Sequence, residues 1–227
     1  MTLPTPPVPR RTGLVVAVDL EDRRAGEAVA RAVSPHADAV KVGWPTVLAC
    51  GTDVVGQLAR ASGRPVICDF KIADIPPVAG AIARRAVDAG ARGVICHAFA
   101  GRESVAAVAD ACHARGALAI AVVEMSHEGG REFTAPASGR LLEVALAGGA
   151  TAVVAPATRP ERIAAIHAAH PGLLIFSPGA GAQGGSPREA ARAGADFVIV
   201  GRAIVNAADP AAAAQDAAGQ IAEGARA

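Results

Sequence analysis

The chain has 227 residues, a formal net charge of +1, and 52% hydrophobic against 19% charged residues. This length suits one domain with a proper core. No apolar run reaches the roughly 20 residues that a membrane span needs, which argues against a membrane protein. The chain has no basic block and no interleaving of basic and aromatic residues, which argues against a nucleic-acid partner. We therefore expect a small-molecule ligand.

The N-terminal segment MTLPTPPVPRR contains prolines and arginines but no apolar stretch of the kind found in secretion signals. We predict a short flexible arm over residues 1–11 and a single domain over residues 12–227, located in the cytoplasm. The four cysteines are widely spaced in apolar settings. Their pattern predicts reduced, buried thiols and neither a disulfide nor a zinc site: Cys50, Cys68, Cys96 and Cys112.

Short apolar runs of β type alternate with alanine-rich amphipathic segments along the chain. There are eight such runs, at residues 13–18, 38–42, 65–69, 93–97, 118–123, 151–155, 173–177 and 196–200. Strands that are apolar on both faces and alternate with helices are typical of parallel βα units. Eight units in a chain of this size predict an α/β fold, a single-domain (β/α)8 TIM barrel. An open, doubly wound sheet is the alternative.

The segment DFKIADIP concentrates charge directly after the third apolar run. Asp69 and Lys71 are two residues apart, so in a regular strand their side chains share a face, and Asp74 follows on the turn into a helix. Two carboxylates that flank one lysine favour its ammonium form. The pattern predicts a lysine that is kept protonated and can serve as a proton donor. The alternative is an ion-pair cluster at a strand end.

In a barrel of this kind, functional residues gather at the C-terminal ends of the strands. Lys41 lies inside the second apolar run, where its ammonium group needs counter-charges, and Asp19 and Asp69 are the obvious partners. We predict one array of alternating charge around the rim: Asp19, Lys41, Asp69, Lys71 and Asp74. The candidate catalytic residues are Lys41, Asp69, Lys71 and Asp74.

A glycine-rich segment, SPGAGAQGG, follows the seventh run, and Gly201 and Arg202 follow the eighth. Glycines let the backbone approach a ligand closely and offer N–H groups, and arginine offers a planar fork to phosphate oxygens. Loops seven and eight are where barrels often bind phosphate. We predict that a phosphate monoester binds here, at Pro178, Gln183, Gly201 and Arg202.

We assign no catalytic role to three other polar residues near strand ends. We read His97 as a hydrogen-bonded structural residue, and no three histidines form a metal triad. Ser126 lacks a nucleophile elbow, so we interpret it as a hydrogen-bonding residue. Glu124 is a salt-bridge anchor or a support behind the site, and it is not ranked as catalytic.

Taken together, these motifs resemble the orotidine 5'-monophosphate decarboxylase family in its short archaeal-type form. The resemblance spans nearly the whole chain and rests on VAVDL, KVGWP, DFKIADIP, EMSH, VVAPATRPER, SPGAGAQGG and VGRAI. The D-x-K-x-x-D portion alone is shared with sugar-phosphate lyases of the same superfamily. Those relatives have a metal-binding glutamate at the position of Lys41, so the lysine points to the enzyme that uses no metal.

The resemblance implies a reaction without cofactor or metal, in which orotidine 5'-monophosphate loses CO2 from C6. Lys71 would stabilise the carbanion and donate the proton, while Asp69 would lie beside the leaving carboxylate and hold Lys71. Because only differential stabilisation accelerates a reaction, positioning of Lys71 outweighs repulsion by Asp69. An apolar pocket for CO2 would come from Ile95, Val122 and Val154.

The resemblance also implies the binding contacts. Asp19 and Lys41 would contact ribose hydroxyls, Ser126 would read the pyrimidine edge, and Gln183 with Arg202 would grip the phosphate. The remote phosphate contacts would supply binding energy that helps to close the loops.

In this family Asp74 reaches into the neighbouring subunit's site, which implies an obligatory homodimer. The chain departs from the family after DIP, where Pro77, Val78 and Ala79 replace a polar pair that often includes a ribose-binding threonine. A lost hydrogen bond of this kind costs about 1 kcal/mol. Two alternatives stay open: a Mg2+-dependent sugar-phosphate decarboxylase or aldolase, and a nucleotide-binding barrel without turnover.

Overall fold

The structure is a computed structural model and describes residues 7–226. These residues form eight parallel strands that close into a barrel in chain order. The last strand pairs with the first through Val198 and Leu14, so the predicted barrel is confirmed and the open sheet is not formed. The strands are β1 (Leu14–Ala17), β2 (Ala39–Gly43), β3 (Val66–Ile72), β4 (Gly93–His97), β5 (Leu118–Val122), β6 (Ala152–Val154), β7 (Leu174–Pro178) and β8 (Phe197–Val200).

At least one helix connects each strand to the next on the outside of the barrel. Asp22 caps the first helix, since its side chain accepts a hydrogen bond from Ala25 N at 2.8 Å. The alanine-rich tail from Pro210 forms the last helix, as predicted. The helices are α1 (Arg23–Val33), α2 (Trp44–Cys50), α3 (Val54–Ser62), α4 (Pro76–Asp88), α5 (Arg102–His113), α6 (Gly129–Ala147), α7 (Pro160–Ala169), α8 (Pro187–Arg192), α9 (Arg202–Val205) and α10 (Pro210–Gly224), with a 3-10 turn at Ala98–Ala100.

The apolar core has two layers. One layer fills the barrel interior, where the rings of Phe176 and Phe197 stack with centroids 4.6 Å apart and Ile67 and Ile120 belong to the same cluster. The other layer lies between the strands and the surrounding helices. Because the barrel interior is packed at its lower levels, the room that the barrel leaves for a ligand lies at the C-terminal ends of its strands.

The N-terminal end of the barrel is closed by residues that we had predicted to be a flexible arm. Residues 1–6 of that arm lie outside the described part of the chain. Val8 is 3% exposed and joins the interior cluster, and Arg11 donates its backbone N–H to Asp38 at 2.8 Å. Residues 7–11 therefore pack against the barrel, because an apolar side chain and a buried carboxylate hold them there.

The cysteine prediction is confirmed for three of the four thiols. Cys68, Cys96 and Cys112 are buried and free, and burial raises the pKa of each to about 12. Cys50 is also free but only half-buried. Within residues 7–226, no helix is both long and apolar enough to cross a membrane.

Candidate active site

A cavity of about 560 Å³ opens at the C-terminal ends of the strands. Every residue predicted for catalysis or binding, apart from Asp74, lines it: Asp19, Lys41, Asp69, Lys71, Ser126, Pro178, Gln183, Gly201 and Arg202. The parallel strands explain the convergence, because all of their carboxyl ends meet at the same rim.

Four charged side chains form a continuous array on one side of this cavity. Lys41 Nζ lies 3.1 Å from Asp19 Oδ2 and 3.1 Å from Asp69 Oδ2. Lys71 Nζ lies 2.8 Å from both oxygens of Asp69. Asp69 therefore sits between two ammonium groups, and the charges alternate along the rim as predicted for these four residues.

The array changes the proton affinities of its buried members. Burial acts against the charged form of Lys41, but the carboxylates of Asp69 and Asp19 outweigh it, so the pKa of Lys41 is raised. Burial also acts against the charged form of Asp69, and Lys41 and Lys71 outweigh it, so the pKa of Asp69 is lowered. Both residues are therefore ionised at neutral pH.

The backbone around Lys71 departs from the regular strand that the sequence suggests. Lys71 has a φ of 44° and is the one non-glycine residue with positive φ in the described chain. The pairing between β3 and β4 shifts register between Cys68 and Ile72. The two side chains thus meet through a bulge and a left-handed residue, and not through simple alternation along the strand.

Asp74 does not join the array of its own chain, which corrects our prediction of five alternating charges. Its side chain is exposed, and Oδ1 accepts a hydrogen bond from Ile75 N at 2.7 Å. Its carbonyl oxygen accepts a hydrogen bond from the hydroxyl of Ser104 at 2.7 Å. The turn between β3 and α4 carries the carboxylate away from Lys71, and no ion pair within residues 7–226 includes it.

The rest of the cavity divides into an apolar wall and a loop-lined end. Ile95, Val122 and Val154 line the cavity, as predicted for a pocket beside the reacting group. At the other end, the loop after β7 folds back on itself, since Gly181 N donates to Gly185 O at 2.9 Å. This loop faces Arg202, the first residue of α9.

His97 stands at the end of β4 beside the array but does not line the cavity. Its ring packs at a tilt against Phe99 with centroids 4.5 Å apart. Its Nδ1 is buried with no hydrogen-bond partner among the described residues, so the hydrogen bond predicted for His97 is not formed at this nitrogen. Burial, and then the charge of Lys71, lowers the pKa of His97 to about 4. The ring is therefore neutral at neutral pH.

Sequence reasoning missed some features of the site. Met125, His127 and Asn206 also line the cavity. Met125 and His127 lie in the loop after β5, which is the signal that would have found them, whereas Asn206 follows the short helix α9 and has no such signal. Glu124 is a salt-bridge anchor, one of the two interpretations made from the sequence, but its partner Arg159, at 2.5 Å, was missed because the two residues are far apart in the chain. Within residues 7–226, no three histidine, cysteine or acidic side chains are grouped as a metal site requires.

The fold and the site together define an α/β-barrel protein with a carboxylate–ammonium array in a cavity at the C-terminal ends of its strands. The model of the orotidine 5'-phosphate decarboxylase / HUMPS family matches residues 12–217. The chain belongs to this family, and the resemblance stated from its motifs is confirmed.

Individual relatives show the same similarity over the whole barrel. The orotidine 5'-phosphate decarboxylase of Methanococcoides burtonii is 44% identical over 207 residues, which cover 91% of this chain and 95% of that protein. The orotidine 5'-monophosphate decarboxylase of Methanocaldococcus jannaschii, solved in complex with the inhibitor BMP, is 36% identical with a TM-score of 0.87, covering 94% of this chain and 99% of that one. The enzyme from Pyrococcus horikoshii OT3 is 42% identical with a TM-score of 0.84, covering 92% and 99%.

Proposed function

We propose that this protein decarboxylates orotidine 5'-monophosphate to uridine 5'-monophosphate in de novo pyrimidine biosynthesis. One observation carries the proposal: the Lys71 ammonium, bonded to both oxygens of Asp69 at 2.8 Å, stands in the cavity at the C-terminal ends of the barrel strands. The proposed location is the cytoplasm, because a charged nucleotide does not cross membranes unaided.

In the proposed reaction, the bond between C6 and the carboxylate breaks, CO2 leaves, and the bonding electron pair remains on C6. The Lys71 ammonium stabilises this carbanion and then transfers a proton to C6. The resulting amine regains its proton from water. Because the proton donor is already in place and charged, it acts where negative charge develops in the transition state.

Asp69 has two tasks in this proposal. It fixes the Lys71 ammonium by accepting hydrogen bonds with both oxygens. Its lowered pKa keeps it ionised beside the leaving carboxylate, which it repels in the bound substrate. We give the positioning of Lys71 the larger weight, since only interactions that strengthen in the transition state raise the rate.

The proposed reaction uses neither metal nor cofactor. Asp69, the most buried carboxylate of the array, is engaged by ammonium groups from Lys41 and Lys71. The stabilising positive charge at the reacting carbon thus comes from lysine. The apolar wall of Ile95, Val122 and Val154 suits the release of CO2, which is itself apolar.

The remaining predicted residues bind the substrate in this proposal. Asp19 and Lys41 bind the ribose hydroxyls, and Ser126 hydrogen-bonds the pyrimidine edge. The phosphate lies at the loop-lined end, where Gln183 and Arg202 grip it with the backbone around Pro178 and Gly201. Binding energy from the phosphate orders the loop after β7.

We also propose that the protein is a homodimer in which Asp74 serves the partner's site. In this chain Asp74 is exposed and separate from the array. Large apolar side chains are exposed on the segments that follow β2, β3, β4 and β5, as expected for a buried interface. They are Trp44, Leu48, Ile75, Val78, Phe99 and Phe133.

The proposal is tested with purified protein, orotidine 5'-monophosphate and excess EDTA, while the ultraviolet absorbance of the substrate is followed. Loss of absorbance with uridine 5'-monophosphate as product supports a decarboxylase without metal. Lys71→Ala is expected to lower kcat by a factor on the order of 10²–10⁴. Activity that EDTA abolishes, or wild-type turnover in Lys71→Ala, would contradict the proposal.

A further inference from the structure

A buried ion cluster lies behind the cavity wall, at the ends of β5 and β6. The Glu124 side chain is 1% exposed, and its Oε1 lies 2.5 Å from Nε of Arg159, which is itself 9% exposed. The other oxygen, Oε2, lies 3.0 Å from Nε of Arg162, whose side chain is 40% exposed. None of these three side chains lines the cavity.

This cluster joins the two loops that follow β5 and β6. Arg159 donates a second hydrogen bond, through Nη2, to the carbonyl oxygen of Met125. The hydroxyl of Thr158 donates to the carbonyl oxygen of Ser126 at 3.2 Å. The segment from Glu124 to Ser126 is therefore held, residue by residue, by Thr158 and Arg159.

Ser126 lies between the cavity and the loop after β7. It lines the cavity, and Gly179 approaches it so closely that a Cβ added to Gly179 would lie 3.0 Å from the Cβ of Ser126. A shift of the segment would move the hydroxyl relative to the ligand and against the loop after β7. The geometry of this segment thus sets where the Ser126 hydroxyl points.

Burial of the Glu124 carboxylate costs free energy, because a charge is taken out of water. Well-packed apolar residues of similar volume often stabilise a fold as well or better. What a guanidinium adds is a planar fork that bonds in fixed directions. Arg159 uses that fork to link the Glu124 carboxylate with the backbone of Met125.

We propose that the Glu124–Arg159 pair is a positioning device that fixes the Ser126 hydroxyl for recognition of the pyrimidine. The inference rests on the proposed function, in which Ser126 contacts the base. Neither Glu124 nor Arg159 lines the cavity, so both act through the loop. Arg162 bonds to the same carboxylate without contacting the loop, and it supplies a matched control.

The test compares Arg159→Lys with Arg162→Lys, each in the wild-type and in the Ser126→Ala background. Lysine keeps a positive charge beside Glu124, so the fold is retained, but it cannot repeat the two-directional bonding of the guanidinium. Arg159→Lys is expected to lower kcat/KM by about 100-fold in the wild-type background, as misplacement of a contacting group does. In the Ser126→Ala background the same change is expected to cost less than about threefold, because its target is gone. Arg162→Lys is expected to stay within about threefold in both backgrounds.

An equal loss from Arg159→Lys in both backgrounds would overturn the inference, as would an equal loss from Arg162→Lys. Hydrogen exchange of the amides at residues 125–128 gives a readout that needs no activity. Faster exchange in Arg159→Lys than in Arg162→Lys supports the positioning role, and equal exchange overturns it. A wild-type protein that is inactive while the exchange difference is present would overturn the proposed function and leave the positioning role standing.

Discussion

Asp69 lies between two ammonium groups, and this arrangement depends on unusual backbone at the second of them. Lys71 has a φ of 44°, in a region that costs a residue with a side chain about 1–2 kcal/mol. The strained backbone conformation thus occurs at the residue that is proposed to donate the proton. The strain therefore belongs to the site and is offset by packing elsewhere in the barrel.

The strain predicts an order of stability between two inactive variants. Lys71→Gly and Lys71→Ala lose the same ion pair, but only glycine adopts positive φ without strain. We expect Lys71→Gly to be more stable than Lys71→Ala by about 1 kcal/mol in urea unfolding. The control is Arg84 in α4, where helix propensity predicts the opposite order. Equal stability of the two Lys71 variants would show that the φ of 44° is relaxed at little cost.

The lowered pKa of His97 predicts how the free energy of unfolding depends on pH. Its pKa falls from 6.5 to about 4 on folding, so between these values the unfolded chain binds the proton and the folded chain does not. Stability is therefore expected to decrease as the pH falls through this window, by an amount on the order of 1–2 kcal/mol after allowance for partial exposure. Thermal or urea unfolding across the window measures the change.

His97→Gln removes this contribution, so its stability is expected to vary less than that of the wild type between pH 6.5 and about 4. The carboxyl group of Asp69 affects stability in a lower pH range. Its pKa is lowered from 3.8, so its stabilisation is present above that value and is lost only as the pH falls through the lowered pKa. Parallel curves for wild type and His97→Gln would contradict the assignment to His97.

At the scale of elements, the loop after β7 depends on its glycines. Gly181 has a φ of 78°, and a Cβ placed there would lie 3.0 Å from Cβ of Ala203 in α9. Gly181→Ala is therefore expected to displace the loop from Arg202 and to raise KM by up to about tenfold, with a smaller change in kcat. Gly172→Ala is the control, since nothing lies within 4 Å of its Cβ position. Steady-state kinetics of both variants measure the effect, and an unchanged KM in Gly181→Ala would argue against a rigid loop.

The elements differ in how far the sequence predicts them. Strands buried on both faces leave contiguous apolar runs, so all eight were located from the sequence, and glycines with arginine marked the loop-lined end of the cavity. The bulge before Lys71 has no such signal, because a non-glycine residue with positive φ leaves no pattern. The Glu124–Arg159 pair, 35 residues apart, forms only when two loops meet in the barrel. The turn that carries Asp74 away from the array is likewise set by tertiary structure.

At the scale of the whole molecule, the exposed apolar side chains and the isolated Asp74 have one explanation in the proposed dimer. Ile75 is 63% exposed and Leu48 79% exposed, and Asp74 directly precedes Ile75. An interface over this surface buries the apolar groups and places Asp74 near a second copy. One chain then has an incomplete site, although its fold is complete.

This arrangement predicts that two inactive variants restore activity when they are combined. In a mixed dimer of Lys71→Ala and Asp74→Ala, one site lacks both residues and the other has Lys71 from one chain and Asp74 from the other. Random pairing after joint unfolding and refolding gives half mixed dimers, so about a quarter of wild-type activity is expected. Turnover of orotidine 5'-monophosphate by the refolded mixture measures it.

The control mixture combines Lys71→Ala with Asp69→Ala, both of which act within one chain, since their side chains bond to each other at 2.8 Å. Every site in that mixed dimer lacks one of the two residues, so no activity is expected to return. Native mass spectrometry establishes that mixed dimers form in both samples. If they form and the Asp74→Ala mixture stays inactive, Asp74 does not act across the interface, because geometry that supplies it in trans must yield one intact site in each mixed dimer.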